Sequence, residues 1–141
     1  MAAAFPAGRH WHAMTSSPLT PLERALAKQI AARAEAQPVA IGVWVFGSRA
    51  RGASNEDSDL DIAIEFSSPE TSELRDWLEQ VRVEAEAPVA DQWPGFVNLV
   101  GLFADDVDPR LRNRVYLEGL TVWVRYRQSQ PASGRTPLQA N

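Results

Sequence analysis

The chain has 141 residues, enough for one domain with a buried core, and its hydrophobic fraction of 45% and charged fraction of 23% are ordinary for a globular protein. Its formal net charge of -4 argues against a direct nucleic-acid partner, because nucleic-acid-binding domains usually carry a basic face. The absence of cysteine excludes disulfides, thiolate catalysis and cysteine zinc sites.

The two ends of the chain show no hydrophobic period. Residues 1–19 are predicted to form a flexible arm, in which His10 and His12 have no further ligands and are not expected to bind a metal. Residues 127–141 are rich in polar residues, proline and glycine, and are predicted to be disordered. Because no signal peptide is recognisable and no apolar run reaches the roughly 18 residues of a membrane span, we expect a cytoplasmic protein without a membrane partner.

Residues 20–126 are predicted to form the folded domain. Its first helix starts at a capping box, Thr20 to Glu23, with Pro21 at the first helical position, and extends to about Ala36. Residues 39–46 are almost continuously apolar, as in a strand buried on both faces. The later elements are a strand over 60–66, a helix over 68–87, a strand over 96–103, a helix over 108–118 and a strand over 121–126. This order predicts a small α/β fold with a mixed sheet flanked by helices.

A candidate phosphate-binding turn follows the first predicted strand. Gly47 and Ser48 lie between this strand and a short helix, where backbone N–H groups, a hydroxyl and the positive helix end suit an anion. Arg49 and Arg51 add positive charge beside them. These four residues are the predicted nucleotide-binding residues.

A candidate metal-binding pair opens the second predicted strand. Asp59 and Asp61 project from the same strand face, with Cα atoms roughly 6.5–7 Å apart. Mg²⁺ favours a few carboxylates together with phosphate oxygens. Taken singly, the turn, the arginines and the carboxylates each have ordinary structural explanations. Their occurrence in this order predicts a site for a nucleoside triphosphate and Mg²⁺, where a hydroxyl attacks the α-phosphate in line and pyrophosphate leaves.

The segment from Gly47 to Asp61 resembles the GS-x10-DxD signature of the DNA polymerase β-like nucleotidyltransferase superfamily. The segments GSRARG and SDLDIAI, together with residues 111–119, are similar to sequences of its minimal nucleotidyltransferase branch. The resemblance covers residues 20–126 and implies a small polymerase β-like fold. It also implies that Gly47 and Ser48 hold the triphosphate of ATP, while Asp59 and Asp61 hold magnesium ions and serve catalysis.

The resembled branch carries a third carboxylate on the next strand, in a pattern like V-D-L-V-D-L, where this chain has VNLVGL over 97–102. Asn98 therefore stands at the third acidic position, and Gly101 at a position where another acid often follows. An amide oxygen can ligate a metal, but it is neutral and does not accept a proton as a carboxylate does. With a different strand register, Asp91, Asp105 or Asp106 would supply the missing carboxylate.

Many proteins of this branch are antitoxins that act with a HEPN-domain ribonuclease, and some transfer AMP from ATP to a tyrosine of that toxin. The resemblance therefore implies an antitoxin with adenylyltransferase activity. Two other functions stay open. One is an antitoxin that neutralises its partner by binding alone, and the other is nucleotidyl transfer to a small molecule, which the short chain disfavours. The nucleotide, the acceptor atom and the oligomeric state are not determined by the sequence.

Overall fold

The computed structural model describes residues 18–52, 59–92, 97–106 and 108–125, and the backbone of residues 9–11. The predictions for His12, Phe96, Tyr126 and the tail over 127–141 lie outside these residues and stay predictions.

The described chain contains one mixed sheet with helices on both faces. Its elements are β1 (Arg9–Trp11), α1 (Pro21–Glu35), β2 (Ala40–Phe46), α2 (Gly47–Arg51), β3 (Leu60–Phe66), α3 (Ser72–Glu86), a 3-10 turn (Ala87–Val89), β4 (Val97–Leu102), α4 (Arg110–Glu118) and β5 (Leu120–Arg125). The strand order is β1-β5-β2-β3-β4, with β3 and β4 parallel and all other neighbours antiparallel. The predicted α/β fold with a mixed sheet is confirmed. None of the described helices is both long and apolar enough to cross a membrane.

Helix α1 begins where the capping box predicts. The Thr20 hydroxyl accepts the backbone N–H of Glu23 at 3.1 Å, and the Glu23 carboxylate accepts the backbone N–H of Thr20 at 2.8 Å. At the other end of the helix, Arg125 of β5 donates to the carbonyls of Glu35 at 3.0 Å and Ala40 at 2.9 Å. Local capping therefore sets the start of the helix, whereas a distant arginine binds its end to the sheet.

Two parts of the described chain differ most from the sequence expectation, while several other helix and strand ends shift by one or two residues. Helix α3 starts at Ser72 instead of residue 68, because the hydroxyl of Thr71 caps it by accepting the Leu74 N–H at 3.1 Å. Residues 9–11, expected in an arm without regular structure, form β1 and pair with β5, Trp11 lying opposite Trp123. A strand of three residues is too short to show a period in the sequence.

The two faces of the sheet have different cores. Helices α1 and α3 cover the larger one, into which Leu60, Ile62 and Ile64 of β3 point, as the alternation in this strand predicts. On the opposite face, Ala63 belongs to a smaller cluster with residues of β2, β4 and α4. Asp61 is two residues before Ala63 and projects from the same face of β3, so the candidate site lies on the face covered by α4.

Candidate nucleotide and metal site

The phosphate turn and the carboxylate of Asp61 meet at Gly47. Strand β2 ends at Phe46 and α2 begins at the next residue, Gly47, whose φ of 78° is in the left-handed region. Glycine adopts this conformation at no steric cost. A methyl group at Gly47 would overlap Oδ2 of Asp61. The backbone conformation therefore favours glycine, and the missing side chain allows the close approach of the carboxylate.

Asp61 and Asn98 lie side by side at the same end of the sheet. They are Cα partners in the parallel pairing of β3 with β4, and the Asn98 amide Nδ2 donates to Asp61 Oδ1 at 3.0 Å. On the other side, Asp61 is the partner of Phe46, the last residue of β2. Asp59 directly precedes β3, where strand alternation puts it on the face of Asp61. The end of β2, Asp61 and Asn98 thus form a row across three strands.

The strand register places the amide of Asn98 at the third position, and no carboxylate of β4 or the following loop lies there. Asp105 and Asp106 lie beyond the opposite end of β4, where they accept the backbone N–H groups of Glu70 and Phe103 at 3.1 Å and 3.0 Å. Asp91 is exposed in the turn before β4. The alternative of Asp105 or Asp106 through a shifted register is therefore wrong, because β4 pairs in the expected register.

Gly101 lies on the face opposite to Asn98. A side chain there would contact Leu78 and Phe103, on the side covered by α3. An acid at this position would not reach Asp61. Within the described residues, no group of three histidine, cysteine or acidic side chains is placed to hold a metal ion.

The two arginines of α2 face different surroundings. At about 100° per residue, Arg49 and Arg51 are roughly 200° apart around α2 and project from different sides of it. Arg49 is buried and forms an ion pair with the buried carboxylate of Glu23. Arg51 is half exposed, and its guanidinium lies 3.3 Å from the Glu118 carboxylate at the end of α4. Of these two predicted nucleotide-binding arginines, only Arg51 turns towards α4, the helix that covers the sheet face of Asp61.

Sequence reasoning missed the second role of Glu23. One carboxylate oxygen completes the predicted capping box, while the other, Oε2, receives the guanidinium of Arg49. The two residues are separated by 26 positions. No local pattern signals this pair, because the fold brings α1 beside the turn after β2.

Helix α4 contributes two arginines with distinct roles. Arg112 donates to the Glu65 carboxylate at 2.6 Å and to the Phe103 carbonyl at 2.8 Å, and thereby fixes the helix to the sheet. Arg114 is exposed and lies over the Phe46 ring, 5.5 Å from its centroid, next to the phosphate turn. Arg114 is thus a further cation near the site that the sequence reasoning did not single out.

Tyr116 of the same helix stays protonated at neutral pH. Burial, and secondly the hydrogen bond to Glu65, raise the pKa of its hydroxyl.

The donor set at the end of the sheet fits a hard divalent cation. Asp59 and Asp61 supply carboxylate oxygens, which are the ligands that Mg²⁺ prefers. Asn98 adds no negative charge, and its amide N–H₂ occupies one oxygen of Asp61. The site therefore offers two carboxylates and a neutral amide beside the turn at Gly47.

Comparison with known proteins identifies the family. The model of the nucleotidyltransferase domain family matches residues 26–122, and the chain belongs to this family. The superfamily predicted from the GS-x10-DxD motif is thereby confirmed. No curated protein matches the chain.

Several solved structures are similar to this chain. A protein assigned as a minimal nucleotidyltransferase is 31% identical, with 72% of this chain and 95% of that chain covered and a TM-score of 0.46. A protein from Sulfolobus solfataricus assigned as a nucleotidyltransferase is 26% identical, with 73% and 81% covered and a TM-score of 0.45. A toxin–antitoxin crystal structure with AMP-PNP is 21% identical, with 70% and 73% covered and a TM-score of 0.49.

Proposed function

We propose that this chain is an antitoxin-type adenylyltransferase of the cytoplasm. It binds ATP with Mg²⁺ and transfers AMP to a tyrosine hydroxyl of a HEPN-domain ribonuclease toxin. Membership of the nucleotidyltransferase family supports the type of reaction. The resemblance of the GSRARG and SDLDIAI segments to the minimal branch supports the toxin as partner.

The proposal depends mainly on the contact between the phosphate turn and the metal-binding strand. Asp61 approaches Gly47 so closely that no side chain fits between them. A cation held by Asp61 would therefore lie within reach of phosphate oxygens bound at the start of α2. A plain turn followed by a solvated strand end would not require this approach.

Few residues are needed for the proposed AMP transfer. Asp59 and Asp61 would hold magnesium, which when bound offsets the negative charge of the triphosphate. Gly47, Ser48 and Arg51 would hold the phosphates. The acceptor oxygen forms a bond to the α-phosphorus while the bond from phosphorus to the α,β-bridging oxygen breaks, and pyrophosphate leaves.

The proton of the acceptor hydroxyl needs a separate acceptor in this site. It passes to Asp59, Asp61 or water, because the amide of Asn98 does not accept it. Asn98 also donates to Asp61 Oδ1, so one of the two oxygens of this carboxylate is already engaged. We expect slow transfer as a consequence.

The same hydrogen bond favours a second candidate function. In an antitoxin that acts by binding alone, Asn98 would satisfy Asp61 without supporting proton removal. Nucleotide binding would persist, and toxin neutralisation would depend on surface contact. Replacement of both aspartates would then leave neutralisation intact.

The two functions are separated by a transfer assay with the proposed HEPN-domain toxin. Purified chain, toxin, Mg²⁺ and ATP labelled at the α-phosphate should yield labelled toxin. The Asp59→Ala, Asp61→Ala double variant, with its folding checked by circular dichroism, should yield none and should fail to protect cells. Binding of ATP without labelling, combined with protection by the double variant, would support the binding function. Absence of ATP binding by the wild-type chain would refute the nucleotide site itself.

A further inference from the structure

A buried ion pair holds the phosphate turn from the side opposite to Asp61. Glu23 of α1 is 2% exposed and Arg49 of α2 is 8% exposed. The Arg49 guanidinium contacts Oε2 of Glu23, while Oε1 accepts the N–H of Thr20 at 2.8 Å. Both oxygens of the carboxylate are therefore engaged, one within the capping box and one by the turn.

We propose that Glu23 is a positioning residue for nucleotide binding, which acts through Arg49 to hold the turn Gly47–Arg51 in place. In this arrangement Arg49 is a tether and not a phosphate ligand. The inference rests on the proposed nucleotide site at this turn. It gives Arg49 a different role from the one expected from the sequence, and it gives Glu23 a role that needs no contact with the nucleotide.

Helix α2 needs such an external restraint. It has only five residues, and a helix this short is not stable on its own. Its other ion pair, between Arg51 and Glu118, is solvent-exposed on both sides, and exposed pairs hold their partners weakly. The buried pair with Glu23 is consequently the stronger of these two connections.

Burial also argues against Arg49 as a phosphate ligand. If Arg49 turned towards the phosphates, the Glu23 carboxylate would stay buried without its cation, and a buried unpaired charge is strongly unfavourable. Arg51 turns towards α4 and leaves only an exposed carboxylate when it moves. The cost of moving to a phosphate is therefore lower for Arg51 than for Arg49.

The test is a double-mutant cycle on MgATP affinity, measured by isothermal titration calorimetry. Glutamine at position 23 keeps an acceptor for the Thr20 N–H, so Glu23→Gln removes the charge and preserves the capping box. We expect Glu23→Gln and Arg49→Gln each to weaken MgATP binding by about tenfold. The double variant should bind MgATP no more weakly than the single variant with the lower affinity. A phosphate-ligand role predicts a different pattern. Arg49→Gln would then weaken binding, whereas Glu23→Gln would leave it unchanged or tighten it, which would overturn the proposal.

Hydrogen exchange provides a readout that does not need the nucleotide. In the ligand-free protein, Glu23→Gln and Arg49→Gln should accelerate amide exchange over Gly47–Arg51 without accelerating it in α3. A general loss of stability would accelerate exchange in both segments. Unchanged exchange over Gly47–Arg51 would refute the tether even if affinity fell.

Glu84→Gln is the matched control. Glu84 of α3 also forms an ion pair with an arginine of α1, Arg33, but far along the helix from the phosphate turn. This variant should keep wild-type MgATP affinity and wild-type exchange over Gly47–Arg51. If the wild-type chain does not bind MgATP, the proposed function fails, while the exchange measurement still decides whether Glu23 positions the turn.

Discussion

Replacement of Gly47 by alanine is expected to reduce both stability and nucleotide binding. The φ of 78° at Gly47 lies in the left-handed region, which costs an L-residue about 1–2 kcal/mol. The added methyl group would also overlap Oδ2 of Asp61, whose Oδ1 receives the Asn98 amide. Either the turn or the carboxylate must therefore shift, and each shift separates the phosphate turn from the metal-binding pair.

Gly52 offers a control with the same backbone conformation. Its φ is 72°, and the nearest atom to an added methyl group is Cβ of Pro18, at 3.3 Å. Gly52→Ala should thus cost the left-handed penalty of about 1–2 kcal/mol. Gly47→Ala should cost roughly 1–3 kcal/mol more because of the overlap. The additional loss corresponds to a decrease in Tm of at least about 4 °C for a domain of this size.

The measurement is thermal unfolding of both variants with and without MgATP. Gly52→Ala should retain the nucleotide-dependent rise in Tm, and Gly47→Ala should lose it. In an Asp61→Ala background the methyl group has room, so the extra cost of Gly47→Ala should disappear. Equal destabilisation by the two alanine variants, or an extra cost that persists without the Asp61 carboxylate, would refute the close approach of turn and carboxylate.

Two further substitutions test other parts of the site. Asn98→Asp puts a third carboxylate beside Asp61. Repulsion between the carboxylates should lower the Tm without metal, and Mg²⁺ should raise the Tm more than it does in the wild type. Thermal unfolding across a Mg²⁺ titration measures both effects. An unchanged Mg²⁺ response would contradict the pairing of Asn98 with Asp61. Arg112→Ala leaves Glu65 without its cation and should lower the free energy of unfolding by about 1–3 kcal/mol in urea titrations, with MgATP affinity retained. A lost affinity at unchanged stability would instead assign Arg112 to the site.

Much of the fold was predictable because its signals are local. The capping box from Thr20 to Glu23 involves residues three apart, and the structure contains both of its hydrogen bonds. The alternation in β3 correctly separated the buried Leu60 from Asp61. The start of α3 was misplaced because several residues before it are able to cap a helix, and local sequence does not choose among them.

The sequence by itself determined the identity and spacing of the chemically active residues, from Gly47 to Asp61, and the substitution of an amide at position 98. Only the tertiary structure decided how these residues meet. The register of the parallel strands places Asn98 against Asp61. The packing of α1 beside α2 pairs Arg49 with the buried Glu23, whereas Arg51 pairs with the exposed Glu118 of α4. Such contacts join residues 26 and 37 positions apart, and they depend on how whole elements pair and bury their charges, which no local pattern encodes.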